Sequence, residues 1–189
     1  TIFDKKKSKW IKPDQKMYLG DILNTEDLEN AIKDADAVFH FAALADIDEA
    51  LTKPIETANI NIYGTVLALE SSYKYKIKRF VYASTIYVNS RDGGFYRCSK
   101  KAAENYIEEY NKKFNLNYTI LRYGSLYGPR SDKTNGLARI VYDSIKHKKV
   151  IYRGSSETMR EYIHVEDAAL SSVKAIEKEF KNQSINLIG

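Results

Sequence analysis

The sequence predicts an α/β fold built on a parallel sheet. Short β-rich apolar runs alternate with longer amphipathic stretches along the chain. Two of those runs, Ala37-Val38-Phe39-His40-Phe41-Ala42 and Phe80-Val81-Tyr82-Ala83, are apolar almost throughout, as in strands covered by helices on both faces. With 189 residues, 43% of them hydrophobic, the chain can bury a core, which excludes disorder as its main state.

In chain order, a strand is expected over residues 16–19. Asn24 or Thr25 then caps a helix to about residue 33, with Glu26 and Asp27 in the first turn, where the helix dipole favours acids. Strands follow over 37–42 and 79–84. A long helix over 96–113 carries Ala103, Ile107, Tyr110 and Phe114 at helical spacing as a buried stripe. A strand over 117–122 leads to a loop marked by Pro129 after Tyr127-Gly128. Helices over 136–148 and 167–178 and strands over 149–152 and 184–188 complete the expectation.

Composition narrows the function. A single cysteine excludes a disulfide framework and a Cys-rich zinc site, and no run reaches the roughly 18 apolar residues of a membrane span. The start, Thr1-Ile2-Phe3-Asp4, lacks the apolar stretch of a signal peptide, so a soluble protein of the reducing cytoplasm is expected. A net charge of +5 suits anionic small molecules. Lys5-Lys6-Lys7-Ser8-Lys9 reads as a solvated loop and His40 as a packed strand residue, so neither nucleic acid, membrane nor metal is expected as a partner.

The chemistry centres on Tyr96 and Lys100, four apart on one helix face. An ammonium beside a phenol favours the phenolate and makes a general base at neutral pH. In this Tyr- and Lys-rich chain roughly two such spacings arise by chance, and two occur, the other being Tyr142 and Lys146. Context favours the first pair, because the strand ending Ala83-Ser84-Thr85 delivers hydroxyls to the C-terminal edge of the sheet, where ligands bind in open α/β folds.

Taken in order, these residues resemble the extended short-chain dehydrogenase/reductase family, in particular its nucleotide-sugar epimerase/dehydratase branch, over nearly the whole chain. Gly20-Asp21-Ile22 resembles the element whose aspartate contacts the adenine of the dinucleotide. Phe41-Ala42-Ala43 resembles the strand end that packs on the cofactor. Asn61-Ile62-Tyr63-Gly64-Thr65 matches NxxGT, whose asparagine braces the sheet and borders the cofactor. Ala83-Ser84-Thr85 falls at the catalytic Ser/Thr, a role assigned to Thr85, and Tyr96 with Lys100 at the catalytic pair. The stretch from Leu121-Arg122-Tyr123 to Tyr127-Gly128-Pro129-Arg130 matches LRYxxxYGPR, and residues 160–167 resemble RDYIHVxD.

The resemblance implies a Rossmann-like doubly wound parallel sheet and an NAD cofactor, with NADP as an alternative. The cofactor residues it implies are Asp4, Asp21, Ile22, Phe41, Ala42, Ala43, Asn61, Ala83, Ser84, Tyr96, Lys100 and Tyr123. For the substrate, a nucleotide sugar, it implies Thr85, Ser125 and Arg160, the last a forked cation suited to phosphate oxygens. A homodimer through the long helices is also implied.

Three departures refine the picture. The glycine-rich phosphate loop GxxGxxG is nowhere in the sequence, and Thr1-Ile2-Phe3-Asp4 resembles the end of the family's second strand, with Asp4 at the ribose-binding acid. The expectation is therefore a fold lacking its first βα unit. Residues 1–130 would form a partial NAD-binding domain, and residues 131–189 a partial substrate-binding region with a returning core helix and strand. The opened sheet would leave an unsatisfied edge at strand 16–19, and the chain alone would bind dinucleotide poorly. Residues 90–95 are shorter than the family's substrate loop. Finally, Thr85-Ile86-Tyr87 stands where 4,6-dehydratases carry an Asp-Glu pair, and Ser125 where many members carry asparagine. The implied reaction is NAD-dependent epimerisation of a nucleotide sugar, UDP-glucose 4-epimerase-like, by hydride transfer out and back. The alternatives are an NAD(P)H-dependent reductase and a non-catalytic dinucleotide sensor.

Overall fold

The computed structural model describes residues 1–131, 134–150, 157 and 159–189. The chain opens with two short parallel strands, β1 (Ile2–Asp4) and β2 (Met17–Leu19), with Ile2 opposite Met17. Helix α1 (Thr25–Ile32) follows; the Asn24 side chain accepts the Glu26 and Asp27 N–H groups, and Leu28 and Ile32 are buried. Strand β3 (Ala37–His40) is succeeded by α2 (Ile47–Thr52), α3 (Pro54–Ala58), one π turn over Asn59–Tyr63 and α4 (Gly64–Lys74). Then come β4 (Arg79–Thr85), a 3-10 turn over Ile86–Asn89, α5 (Gly94–Phe114) and β5 (Tyr118–Tyr123). The last part holds β6 (Ser125–Tyr127), α6 (Gly136–His147), β7 (Tyr162–His164), α7 (Val165–Lys174) and β8 (Gln183–Leu187).

Strands β3, β4, β5 and β8 form one parallel sheet in that order, while β6 pairs with β7 in a separate parallel ribbon. Both faces of the main sheet are covered. Phe80, Tyr82 and Ile120 pack with Leu69 of α4 and Ala103 and Ile107 of α5. On the opposite face Val81, Leu121 and Tyr123 pack with Ala168 and Ala175. Alternate residues of β4 thus enter two different cores, which is why that strand has no polar side in the sequence.

No ladder joins β1 to β3 among the described residues. Between them runs a groove of about 890 Å³, lined by Ile2, Phe3 and Asp4 on one wall and Val38 to Ala43 on the other. Among the described residues β2 pairs with β1 alone, which leaves its outer edge open as expected for strand 16–19, while the edge on the groove is that of β1. The β1–β2 ribbon is held through α1 and Ile22. Gly64, at the start of α4, lets Ile22 approach so closely that an added Cβ would lie 3.2 Å from its Cγ2.

The strand expected over 149–152 is not formed at residues 149 and 150, and 151 and 152 lie outside the described residues. The run 37–42 leaves the sheet after His40, so Phe41 and Ala42 face the groove. The helix expected over 167–178 begins at Val165 and stops at Lys174. Helices α2, α3 and α4 were not predicted; α4, rich in small residues, buries Gly64, Thr65, Ala68, Leu69, Ser71 and Ser72 and so lacks an amphipathic stripe.

Candidate active site

Strand β4 carries Ser84 and Thr85, both buried, to the C-terminal edge of the sheet. The Thr85 Oγ1 accepts the Tyr87 N–H at 3.3 Å and caps the 3-10 turn, which leaves the hydroxyl proton to donate to a bound oxygen. After that turn the chain doubles back through Gly93, whose φ of +91° favours glycine. The Tyr87 ring rests on it; an added Cβ would lie 3.3 Å from Tyr87 Cβ and Cγ.

Helix α5 then presents Tyr96, Lys100 and Glu104 at successive turns of one face. The Lys100 Nζ donates to the Ala83 carbonyl at 2.8 Å and lies 4.8 Å from the Tyr82 ring centre and 5.9 Å from that of Tyr96. Thr85, Tyr96 and Lys100 therefore gather at the end of β4.

The electrostatics differ from the expectation that Lys100 lowers the Tyr96 pKa. Burial pushes the Tyr96 phenol up to about 12, with the neighbouring Tyr87 phenol adding to the rise. Burial also pulls Lys100 down to about 7, against the opposing field of Glu104. The physical reason is that the ammonium is spent on the Ala83 carbonyl, and desolvation penalises the charged form of both groups.

Sequence reasoning missed Glu104. This carboxylate is 0% exposed and accepts Ser84 Oγ at 2.6 Å, Arg122 Nε at 2.9 Å and Arg122 Nη2 at 2.8 Å, tying α5 to β4 and β5. Arg122 and Ser84 hold its pKa below the usual carboxylate range, although burial opposes them. A charge one turn beyond Lys100, with an arginine inside the apolar run of β5, was the available signal.

Other expected residues fall into two groups. On the far wall, Asp4 lines the groove and accepts the Lys6 N–H at 2.9 Å, and Ile22 is buried beside it. The Asp21 carboxylate accepts the Leu23 N–H at 2.9 Å and pairs with Lys5 at 2.9 Å, which together hold its pKa low. Phe41, Ala42 and Ala43 form the near wall.

The second group is spent on internal structure. The Asn61 side chain, placed by the π turn, accepts the Leu44 N–H and donates to the Leu44 carbonyl and Ser99 Oγ. Ser84 is spent on Glu104, and the Tyr123 hydroxyl on Ser172 Oγ at 2.6 Å. His40 is buried against the Phe80 and Tyr82 rings, with its Nε2 2.9 Å from Thr65 Oγ1. The second Tyr–Lys pair, Tyr142 and Lys146, lies on α6, away from the end of β4.

Arg160 joins the site through Tyr87, its Nη1 donating to the phenol oxygen at 3.0 Å. Ser125 lies on the adjoining ribbon, its N–H bonded to the Glu161 carbonyl at 2.7 Å. Ser125 thus lies on β6, and Arg160 two residues before β7, the strand that pairs with it.

The chain is similar in sequence and fold to known proteins. The model of the NAD dependent epimerase/dehydratase family matches residues 2–188. The chain belongs to that family. A dTDP-D-glucose 4,6-dehydratase of Dictyostelium discoideum is 29% identical over 178 residues, covering 80% of this chain and 41% of that protein. The UDP-glucose 4-epimerase of Thermotoga maritima, solved with UDP-glucose, superposes with a TM-score of 0.90 at 27% identity, over 98% of this chain and 67% of that one. The Thermus thermophilus UDP-glucose 4-epimerase, solved with NAD, gives 0.82 at 25% identity, over 94% and 65%. This member of the epimerase/dehydratase family spans about half the length of the curated relatives it matches.

Proposed function

We propose that the intact protein is an NAD-dependent nucleotide-sugar epimerase acting by transient oxidation of a sugar hydroxyl. The observation that carries this reading is the gathering of Thr85, Tyr96 and Lys100 at the end of β4, next to strand β3, which leads into the Phe41–Ala43 wall of the groove. The likeness to two UDP-glucose 4-epimerases supports it.

The groove also fits the cofactor. Asp4 on one wall and Phe41–Ala43 on the other stand at the C-terminal ends of their strands, where open α/β sheets bind ligands, and offer an acid for a ribose and an apolar surface for a flat ring. Asp4 would hold the adenosine ribose, Ala42 and Ala43 the nicotinamide side, and Lys100 its ribose. When bound, the dinucleotide supplies the hydride acceptor and donor.

The chain's own residues do the rest. Tyr96 takes the proton of the sugar hydroxyl and later returns it, and the Thr85 hydroxyl donates to the same oxygen. Lys100 is held on the Ala83 carbonyl with its Nζ 5.9 Å from the Tyr96 ring, so the phenol, pushed up to about 12 by burial, would ionise only when the loaded site supplies further positive charge. Arg160 binds the diphosphate of the substrate, with Ser125 beside it on the ribbon. Tyr87 in place of a glutamate disfavours water loss, because the site then lacks the carboxylate that would carry the second proton.

Incubation of the intact protein with UDP-glucose and NAD tests the reading. Conversion to UDP-galactose without net cofactor reduction is expected. Stoichiometric NADPH consumption would instead assign a reductase, and a 4-keto-6-deoxy product a dehydratase.

A further inference from the structure

Glu104 stands where the face of β4 under α5 changes character. That face is apolar at Phe80 and Tyr82, which pack with Ala103 and Ile107, and turns polar at Ser84, where the strand reaches its C-terminal edge. Ser84 lies directly opposite Arg122 of β5 in the ladder, and Glu104 accepts from both, from Ser84 Oγ at 2.6 Å and from the Arg122 fork at 2.9 and 2.8 Å. One turn earlier on the same helix, Lys100 Nζ donates to the Ala83 carbonyl at 2.8 Å. Two helical residues four apart therefore grip two consecutive residues of the strand, immediately before Thr85.

Stability alone does not require this arrangement, because well-packed apolar side chains in place of a buried ion pair are often neutral or better. The surroundings of Lys100 give the charge a use. Around this buried amine stand the Tyr82 ring from β4, Tyr96 from its own helix and, stacked on Tyr82, the His40 imidazole from β3, which burial keeps neutral. None of these is an anion at neutral pH. Glu104, flanked by Arg122 of β5 and by Lys101 at 3.5 Å, supplies a negative field that favours the ammonium. We infer that Glu104 is a positioning residue: by holding Ser84 it fixes the strand end to which Lys100 is bonded and from which Thr85 projects, and its charge sustains the ammonium one turn away. The inference rests on the reading of Lys100 as positive charge for the Tyr96 phenol.

Lysine-selective carbon-13 NMR titration of the intact, NAD-loaded protein reads the ammonium directly, with Lys100→Met assigning its resonance, and the pH profile of kcat with UDP-glucose reads its use. Glu104→Gln keeps an acceptor for Ser84 and removes the charge. The Lys100 midpoint should fall by about one pH unit. The alkaline limb of kcat should move down equally, a loss of about tenfold above it, with KM little changed. Glu104→Leu combined with Arg122→Leu removes both ions and leaves neither unpaired, so its melting should approach that of the unsubstituted protein while midpoint and limb stay shifted. If the double variant recovers both, or Glu104→Gln moves neither, Glu104 only packs the helix and the inference is wrong, while turnover by the unsubstituted protein keeps the proposed reaction standing. A midpoint that moves without the limb would also overturn it, since the ammonium is then not used. If the unsubstituted protein leaves UDP-glucose unconverted, the proposed reaction falls and takes the positioning role with it.

Discussion

The Lys100 ammonium is bonded to the Ala83 carbonyl, so its charge is anchored to the strand that carries Thr85 and lies almost 6 Å from the Tyr96 ring centre. Burial holds this lysine near 7, against 10.5 for a free one. Between those values the unfolded chain binds the extra proton, so stability rises with pH across the window. Urea midpoints should increase between about pH 7 and pH 9, below the range of the tyrosines. Lys100→Met should flatten that increase; an equal slope in the variant would show that the lysine is not the titrating group.

His40 titrates at the other end. Burial, with the Lys100 charge adding to it, lowers this imidazole to about 3 from an ordinary 6.5. The unfolded state takes up the proton first, so the folded state loses stability as pH falls from 6.5 towards 3. His40→Gln, which can still bond Thr65, should lessen the acid sensitivity measured by circular dichroism. An unchanged acid midpoint would argue against it.

Tyr96→Phe removes the proton carrier and keeps the ring. Turnover of the intact protein should drop by about a hundredfold or more, the range for general acid–base groups. Binding of UDP-glucose should change little. Near-normal turnover would assign the proton transfer to another group.

Glu104→Ala leaves Arg122 and Ser84 without their shared acceptor. Breaking a buried ion pair from one side costs about 3–5 kcal/mol. Chemical denaturation should show a loss of that order, and a smaller one for Glu104→Gln, whose amide oxygen still accepts. A loss below about 1 kcal/mol for the alanine variant would mean that the cluster contributes no net stability.

Much of the fold was legible because the central strand β4 has no polar side, and Asn24 caps α1 as its side-chain chemistry dictates. Helices α2 to α4 were not legible. The first two are short, and α4 buries small residues such as Ala68 and Ser72 where a large apolar stripe would have been the signal. At the candidate site, the motif resemblance pointed to Thr85, Tyr96 and Lys100, and the structure brings Lys100 of α5 against the end of β4. Sequence reasoning misjudged their ionisation, because burial depends on what packs around Lys100, including Tyr82 on β4 and His40 on β3. It also missed how Ser84, Asn61 and Tyr123 spend their polar groups on Glu104, Ser99 and Ser172.

The groove between β1 and β3 divides the molecule mechanically. Backbone ladders stop at it, so the β1–β2 ribbon and α1 are fastened to the remainder through side chains such as Ile22, Leu28 and Ile32. Segments attached in this way open at lower free energy than a central sheet. In deuterium-exchange measurements, amides of residues 2–4 and 17–19 should therefore label well before those of β4 and β5, and a ligand filling the groove should slow them selectively.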